Sequence, residues 1–380
     1  LSRVLTNVKT RGVFGEVQLA GLLEQVFTPE QYGAIYFHDD DIEDAKWPVA
    51  FSYPVPDGLP SGLYADKGAA PLRGLLLDHC NWEWLYAFEN HAGIFDIHRS
   101  FKFAAIVLEK GGRTDAIHTA FMVGDLATWQ AEPPPALALP RSLLTRLSPH
   151  AHAFVELRDA RDLELLDHLH AQGVPLGERG GAWDLEYVRE FDMTLDSHRF
   201  APRERWEAQG YRADEYGHWL RGPWRPGARD ELDADRVRSH DRAYVLDLDA
   251  IDDVALPLYQ GAMIQSFDFA AGSSWLTKHI EPRSLMAAAQ AGPRRELQVG
   301  FRDIARTTDR RTMIATLLPG MPCGNKVPLL RCASGREREL VAVLGSFVFD
   351  WLQRTRQVGS TLNHHVIAEQ PLPRPCPALD

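Results

Sequence analysis

The sequence predicts a mixed α/β protein of the α+β kind, on three observations. Apolar runs of strand length sit on either side of turn residues, as in Phe101–Leu108 and Ile117–Val123 around Gly111 and Gly112. Other stretches repeat apolar residues at helical spacing, notably Asp159–Gly173 and Leu340–Leu352. Polar, Pro- and Gly-punctuated residues 33–70 and the Pro133–Pro135 run separate these stretches. With 380 residues, 45% hydrophobic and 24% charged, the chain has the make-up of a globular protein with room for two or three domains.

Taken in order, residues 1–32 carry Val17, Leu19, Leu22, Leu23 and Val26 at helical spacing, closed by Thr28 and Pro29. Residues 33–132 form a second expected segment. It opens with a polar stretch whose acidic run His38–Asp44 reads as a solvated face or helix cap, since consecutive residues point in different directions. The Leu-rich residues 72–78 then lead into Trp82, Trp84, Tyr86 and Phe88, which at strand or helix spacing read as packing residues with base stacking as the alternative. The two apolar runs around Gly111 and Gly112 are expected to pair as a β-hairpin.

After Pro133, Pro134 and Pro135, residues 133–254 are expected to form a mixed connecting region. It contains a helix with a buried stripe of Leu163, Leu166 and Leu169. His150, His152, His168 and His170 read as surface or capping residues rather than metal ligands. Residues 255–380 form the last expected region, with the apolar Ala255–Phe269 element and a helix over 340–352 presenting Leu340, Leu344, Phe347 and Trp351 on one face. Cys80, Cys323, Cys332 and Cys376 lack the spacing of a zinc knuckle or a disulfide framework, so no metal is expected.

The formal charge is −11, but from Lys278 to Asp380 there are 15 Lys and Arg against 9 Asp and Glu. Positive potential is therefore expected at the C-terminal end. No apolar run reaches the roughly 18 to 20 residues of a membrane helix, and the N-terminus lacks a signal peptide's apolar stretch, so a cytoplasmic location is expected.

Two long segments, Pro71–Gly112 and Val299–Leu330, together with Arg189–Phe200 and the closing residues 346–373, resemble the C-terminal half of adenine-N6 DNA methyltransferases of the type IIG restriction-modification and BREX-associated kinds. The resemblance implies that the first segment ends a methyltransferase-like sheet and that residues 255–380 are a target-recognition region followed by a helical segment. It also implies sequence-specific recognition of double-stranded DNA, with S-adenosylmethionine as cofactor in the full enzyme. Residues 1–32 resemble RmuC, a bacterial protein linked to DNA recombination, but no nuclease-type acidic and lysine motif follows them. Catalysis by this chain alone is not expected. A glycine-rich donor loop and an (N/D)PP(Y/F/W) tetrapeptide are both missing, and Glu132–Pro135 has no aromatic residue. A catalytic methyltransferase would then be a separate chain or domain, and no cofactor is expected on this one.

The expected DNA-binding residues are Arg302, Arg306, Arg310, Arg311, Asn325 and Lys326, with Gln260, Lys278 and Asn363 as outlying candidates. Arg302 and Arg306, four apart, are expected to share a face, while Arg310, Arg311 and Lys326 sit at turns from which long cationic arms reach phosphates. The alternative is a solvated basic surface paired with Asp303 and Asp309. Leu258, Tyr259, Met263 and Ile264 are read as core.

Overall fold

The computed structural model describes residues 49–50, 59–94, 99, 102–131, 135–178, 180–214, 217–225, 248–268, 282–293, 295–333 and 335–375. The N-terminal helical stretch, the acidic run His38–Asp44, Lys278 and Cys376 lie outside these residues. The chain divides into two compact units, one of residues 1–176, 351–359 and 364–374, the other of residues 177–350, 360–363 and 375–380.

The first unit is built on a sheet of β1 (Val49–Ala50), β2 (Leu59–Pro60), β3 (Cys80–Glu89), β4 (Lys102–Lys110), β5 (Ala116–Val123) and β6 (Leu137–Pro140). The expected hairpin of β4 with β5 does not form. β3 lies between them, antiparallel to β4 from Cys80↔Lys110 to Glu89↔Lys102 and parallel to β5 from Trp84↔His118 onward. Gly111 and Gly112 take φ of 89° and 77°, values open to glycine, and carry the chain across the start of β3. Thr114 fastens this crossing: its hydroxyl donates to the Cys80 carbonyl and accepts from the Trp82 amide. Local alternation identified both strands, yet their partner is set by a segment earlier in sequence.

Trp82, Leu85, Ile106, Leu108 and Ile117 are all but fully buried in this sheet. Each large side chain so placed contributes roughly 1.5–3 kcal/mol relative to exposure. Trp82 packs against Phe154, ring centroids 5.1 Å apart. Helix α1 (Ala70–His79) starts with proline in its first turn and buries Leu76 and Leu77. It also buries Arg73, whose guanidinium donates to the carbonyls of Leu63, Asp66 and Ala151, so the cation is enclosed but hydrogen-bonded. Helix α2 (Ala160–Gln172) is the expected helix, though Leu166 alone of the three stripe leucines is fully buried. Asp159 caps it by accepting from the Asp162 amide at 3.0 Å. Asp159→Ala should lower the unfolding free energy by about 1 kcal/mol, read as a shifted denaturant midpoint with unchanged slope. The short ladder of β7 (Val174–Pro175) with β17 (Pro371–Leu372) closes the unit.

The second unit holds two antiparallel sheets. In one, β10 (Arg212–Ala213), β11 (Trp219–Arg221), β12 (Asp253–Pro257), β13 (Ser284–Ala287) and β9 (Ala201–Pro202) lie in that order. In the other the order is β15 (Ala315–Pro319), β14 (Leu297–Phe301), β16 (Leu329–Cys332) and β8 (Leu185–Val188). β14 is covered on both faces from Gln298 to Phe301. Gly300 leaves room for Leu318, since a Cβ there would come within 2.3 Å of the Leu318 side chain and force it to shift. Tyr259, Met263, Ile264, Leu318, Cys323 and Val327 form one core cluster and Leu258 belongs to another, so Leu258, Tyr259, Met263 and Ile264 are core as expected.

The expected helix over 340–352 is two helices, α3 (Glu337–Leu344) and α4 (Phe347–Arg356), separated at Gly345 and Ser346. Leu340 and Leu344 are buried, but Phe347 is 83% exposed. The break falls at the C-cap Gly345 and at Ser346, whose hydroxyl accepts from the Phe349 amide at 3.1 Å, and Arg311 donates to the carbonyls of both. Among the described residues no helix is long and apolar enough to cross a membrane.

Candidate cationic cleft

Two adjoining cavities of the second unit share Arg302. The smaller, about 330 Å³, is bounded by Gln260, Gly261, Met263, Arg283 and Lys326. Its walls come from the turn following β12, where the Met263 amide donates to the Gln260 carbonyl, and from the loop between β15 and β16. Gly261 lets the two walls approach, because a Cβ there would stand 3.2 Å from the Lys326 carbonyl. The larger cavity, about 670 Å³, is bounded by Gln265, Phe267, Asp309, Arg310, Arg311 and Phe347.

Arg302 follows directly after β14 and is half-buried. Its guanidinium is oriented by two hydrogen bonds to the Ile264 carbonyl, from Nε at 2.9 Å and from a terminal nitrogen at 2.7 Å. Burial pulls it below the usual arginine range, with Asp309 opposing. Arginine starts so high that it remains a cation at neutral pH. A cation held in this way has lost its rotamer freedom before any ligand arrives, which lowers the ordering cost of binding.

Lys326 is exposed but engaged, its Nζ 3.0 Å from Asp303 Oδ2. Asp303 is fully buried and also accepts from Arg189. Arg311 is a structural cation: besides its two backbone carbonyls it lies 3.6 Å from Asp350, and its guanidinium sits 4.8 Å over the Phe347 ring. Of the pairings in the alternative reading, Lys326 with Asp303 forms, whereas Arg311 pairs with Asp350 instead.

The sequence candidates thus separate. Gln260, Arg302, Arg310, Arg311 and Lys326 line the two cavities. Arg306 lines neither, and the strand ends at Phe301, so the four-residue spacing does not place it beside Arg302 on a regular element. Its amide is held by Asp309 and its side chain is exposed. Asn325 hydrogen-bonds Asp192 at 3.3 Å, and Asn363 is half-buried away from both cavities. Lys278 is outside the described residues. Arg283, Phe267 and Phe347 were not anticipated. Arg283 precedes a strand with no motif around it, and Phe347 matched the apolar face of a longer helix.

Cys80, Cys323 and Cys332 are buried and reduced, and among the described residues no cluster of three or more His, Cys, Asp or Glu could hold a metal.

No protein-family model matches the chain. It is similar over 42 residues to the N,N-dimethylformamidase beta subunit of Alcaligenes sp, at 48% identity, and to that of Paracoccus aminophilus, at 45%. Each match takes in 11% of this chain and 6% of the relative, so the chain spans a small fraction of the proteins it resembles. These relatives overturn the expected kinship with adenine methyltransferases and with RmuC, and the restriction-modification and phage-defence roles drawn from it. The structure supplies a physical reason. The segments on which that resemblance rested are largely core, with Leu76, Leu85, Val299, Phe301, Leu318 and Leu330 buried, and apolar text at such positions reports packing rather than a shared function.

Proposed function

We propose that the second unit binds an oxyanion-bearing ligand, phosphate or carboxylate, in the cleft around Arg302. The observation that carries this reading is the fixed guanidinium of Arg302 at the junction of two cavities, with Arg283 and Lys326 on one side and Arg310 on the other. A planar fork already oriented by a backbone carbonyl is suited to charge-assisted, directional bonding to an oxyanion. Lys326 adds a mobile charge through its exposed side chain, although its pairing with Asp303 has to be shared with the ligand.

Isothermal titration of the full chain with methyl phosphate, acetate and a duplex oligonucleotide at low ionic strength tests the reading. Duplex DNA presents the same phosphate chemistry in an extended array, so the salt dependence separates the arms. A small anion gives a shallow dependence, whereas each neutralised phosphate of a duplex adds about 0.9 to the slope of log K against log salt. Arg302→Gln should weaken the bound anion roughly 10- to 100-fold, as expected for a charge-assisted hydrogen bond of about 1.5–3 kcal/mol. Binding by none of the three probes, or unchanged affinity in a folded Arg302→Gln protein, would overturn the proposal.

A further inference from the structure

We propose that the larger cavity reads an aromatic ring, so that the ligand of the cleft is an aryl oxyanion. This deepens the anion-binding reading and rests on it. The observations concern Phe267 and Phe347, which border the same cavity as Arg302, Arg310 and Arg311. They are 60% and 83% exposed. A single exposed phenylalanine needs no explanation, but two on the wall of one cationic cavity form a surface with a defined chemical preference.

Phe267 is also held in a backbone conformation that phenylalanine rarely adopts, with φ of 62°. The surrounding structure fixes it there. Its amide donates to the Ala315 carbonyl, and Gln265 and Asp268 exchange hydrogen bonds across it at 2.8 and 3.1 Å. The ring rests on Gly345, where any Cβ would lie 2.1 Å from the ring's Cζ. A side chain wedged onto a glycine at the cost of an unfavourable φ, yet left mostly in water, lacks a packing rationale. Strain of this kind concentrates where a side chain is presented to a ligand.

Phe347 is steadied from the other side. Arg311, anchored by the carbonyls of Gly345 and Ser346 and by Asp350, lies over its ring at 4.8 Å. Both phenylalanines are therefore presented by elements that meet at Gly345. Aromatic faces and a guanidinium plane favour a flat ring over an aliphatic chain, while Arg302 engages the oxyanion. Phosphate and carboxylate remain alternative sources of that charge.

Four probes are titrated against the full chain: phenyl phosphate, methyl phosphate, benzoate and acetate. The phosphate and carboxylate pairs identify the anion, and the contrast within each pair reports the ring. The aryl member is expected to bind at least tenfold more tightly than its methyl counterpart. Phe347→Ala should reduce that ratio to below threefold by weakening the aryl probes, and this exposed position carries little risk to folding. Phe267→Gly, which relieves the positive φ, should do the same with no loss of thermal stability. Leu195→Ala, removing an exposed leucine that borders neither cavity, should leave every ratio intact. Equal affinity for aryl and methyl probes overturns the ring proposal while the anion cleft stands. Failure of all four to bind removes the anion reading and the ring with it. A ring preference that survives Phe347→Ala and Phe267→Gly likewise overturns the assignment.

Discussion

Glu369→Ala should cost the first unit about 3–5 kcal/mol, the expected penalty for breaking a buried ion pair from one side. Glu369 and Arg356 are both buried, and Arg356 Nη1 lies 3.0 Å from Glu369 Oε2. The carboxylate also accepts from the Ser148 hydroxyl at 2.6 Å and from the amides of His150 and Ala151. Burial already pushes the Arg356 guanidinium below its usual range, and Glu369 is the charge that opposes this. Without the carboxylate, Arg356 keeps the Leu147 carbonyl but remains an enclosed cation with no counter-charge.

Against a typical stability of about 5–15 kcal/mol, such a loss is a large fraction of the whole. Equilibrium denaturation followed by circular dichroism would read it directly. The asymmetry of buried pairs supplies a second reading: Glu369→Leu combined with Arg356→Met should recover most of the loss, because no charge is then left unmatched. A single Glu369→Ala change within 1 kcal/mol of the parent would show that water reaches Arg356 and that the pair is not enclosed.

The contrast between this pair and the cleft bears on what a sequence can disclose. Arg356 and Arg311 are as basic in sequence as Arg302, and position alone does not tell them apart. Arg356 is neutralised by Glu369, and Arg311 is spent on Gly345, Ser346 and Asp350. Arg302, held by the Ile264 carbonyl, lines two cavities. The deciding partners lie 13 residues or more away in the chain, beyond the reach of local spacing. Where the determinant is local, the sequence was readable: the α2 helix, and the buried Leu258, Tyr259, Met263 and Ile264. The same division explains the sheet. Alternation showed that Lys102–Lys110 and Ala116–Val123 are strands, but the insertion of β3 between them depends on Thr114 gripping Cys80 and Trp82. The helix break, by contrast, carries local signals in the C-cap Gly345 and the capping hydroxyl of Ser346, which the apolar spacing of 340–352 concealed.

The other large effect expected is on acid stability, through His170. Burial, then the positive charges of Arg356 and Arg146, pull its pKa down to about 3, against an ordinary histidine value of 6.5. Its Nε2 is enclosed without a hydrogen-bond partner, as suits a neutral ring. The folded state therefore resists protonation while the unfolded chain accepts it. Because the folded pKa is depressed, the stabilisation is fully present above pH 6.5 and is lost progressively as pH falls from there toward about 3. The slope approaches about 1.4 kcal/mol per pH unit for one proton.

His152 shifts in the same direction through burial and Arg73, and His365 through burial, so the parent profile alone does not isolate His170. The difference between parent and His170→Gln does. Above pH 6.5 that difference holds only the cost of altered packing and should be constant. Below it the parent should lose stability faster than the variant, so that the gap between them narrows and reverses by about pH 4.5. Unfolding free energies from denaturant titrations at pH 7.5, 6.5, 5.5 and 4.5 would trace it. A gap that stays flat across this range would mean that His170 protonates freely in the folded state, and that neither its enclosure nor the field of Arg356 is felt at the ring.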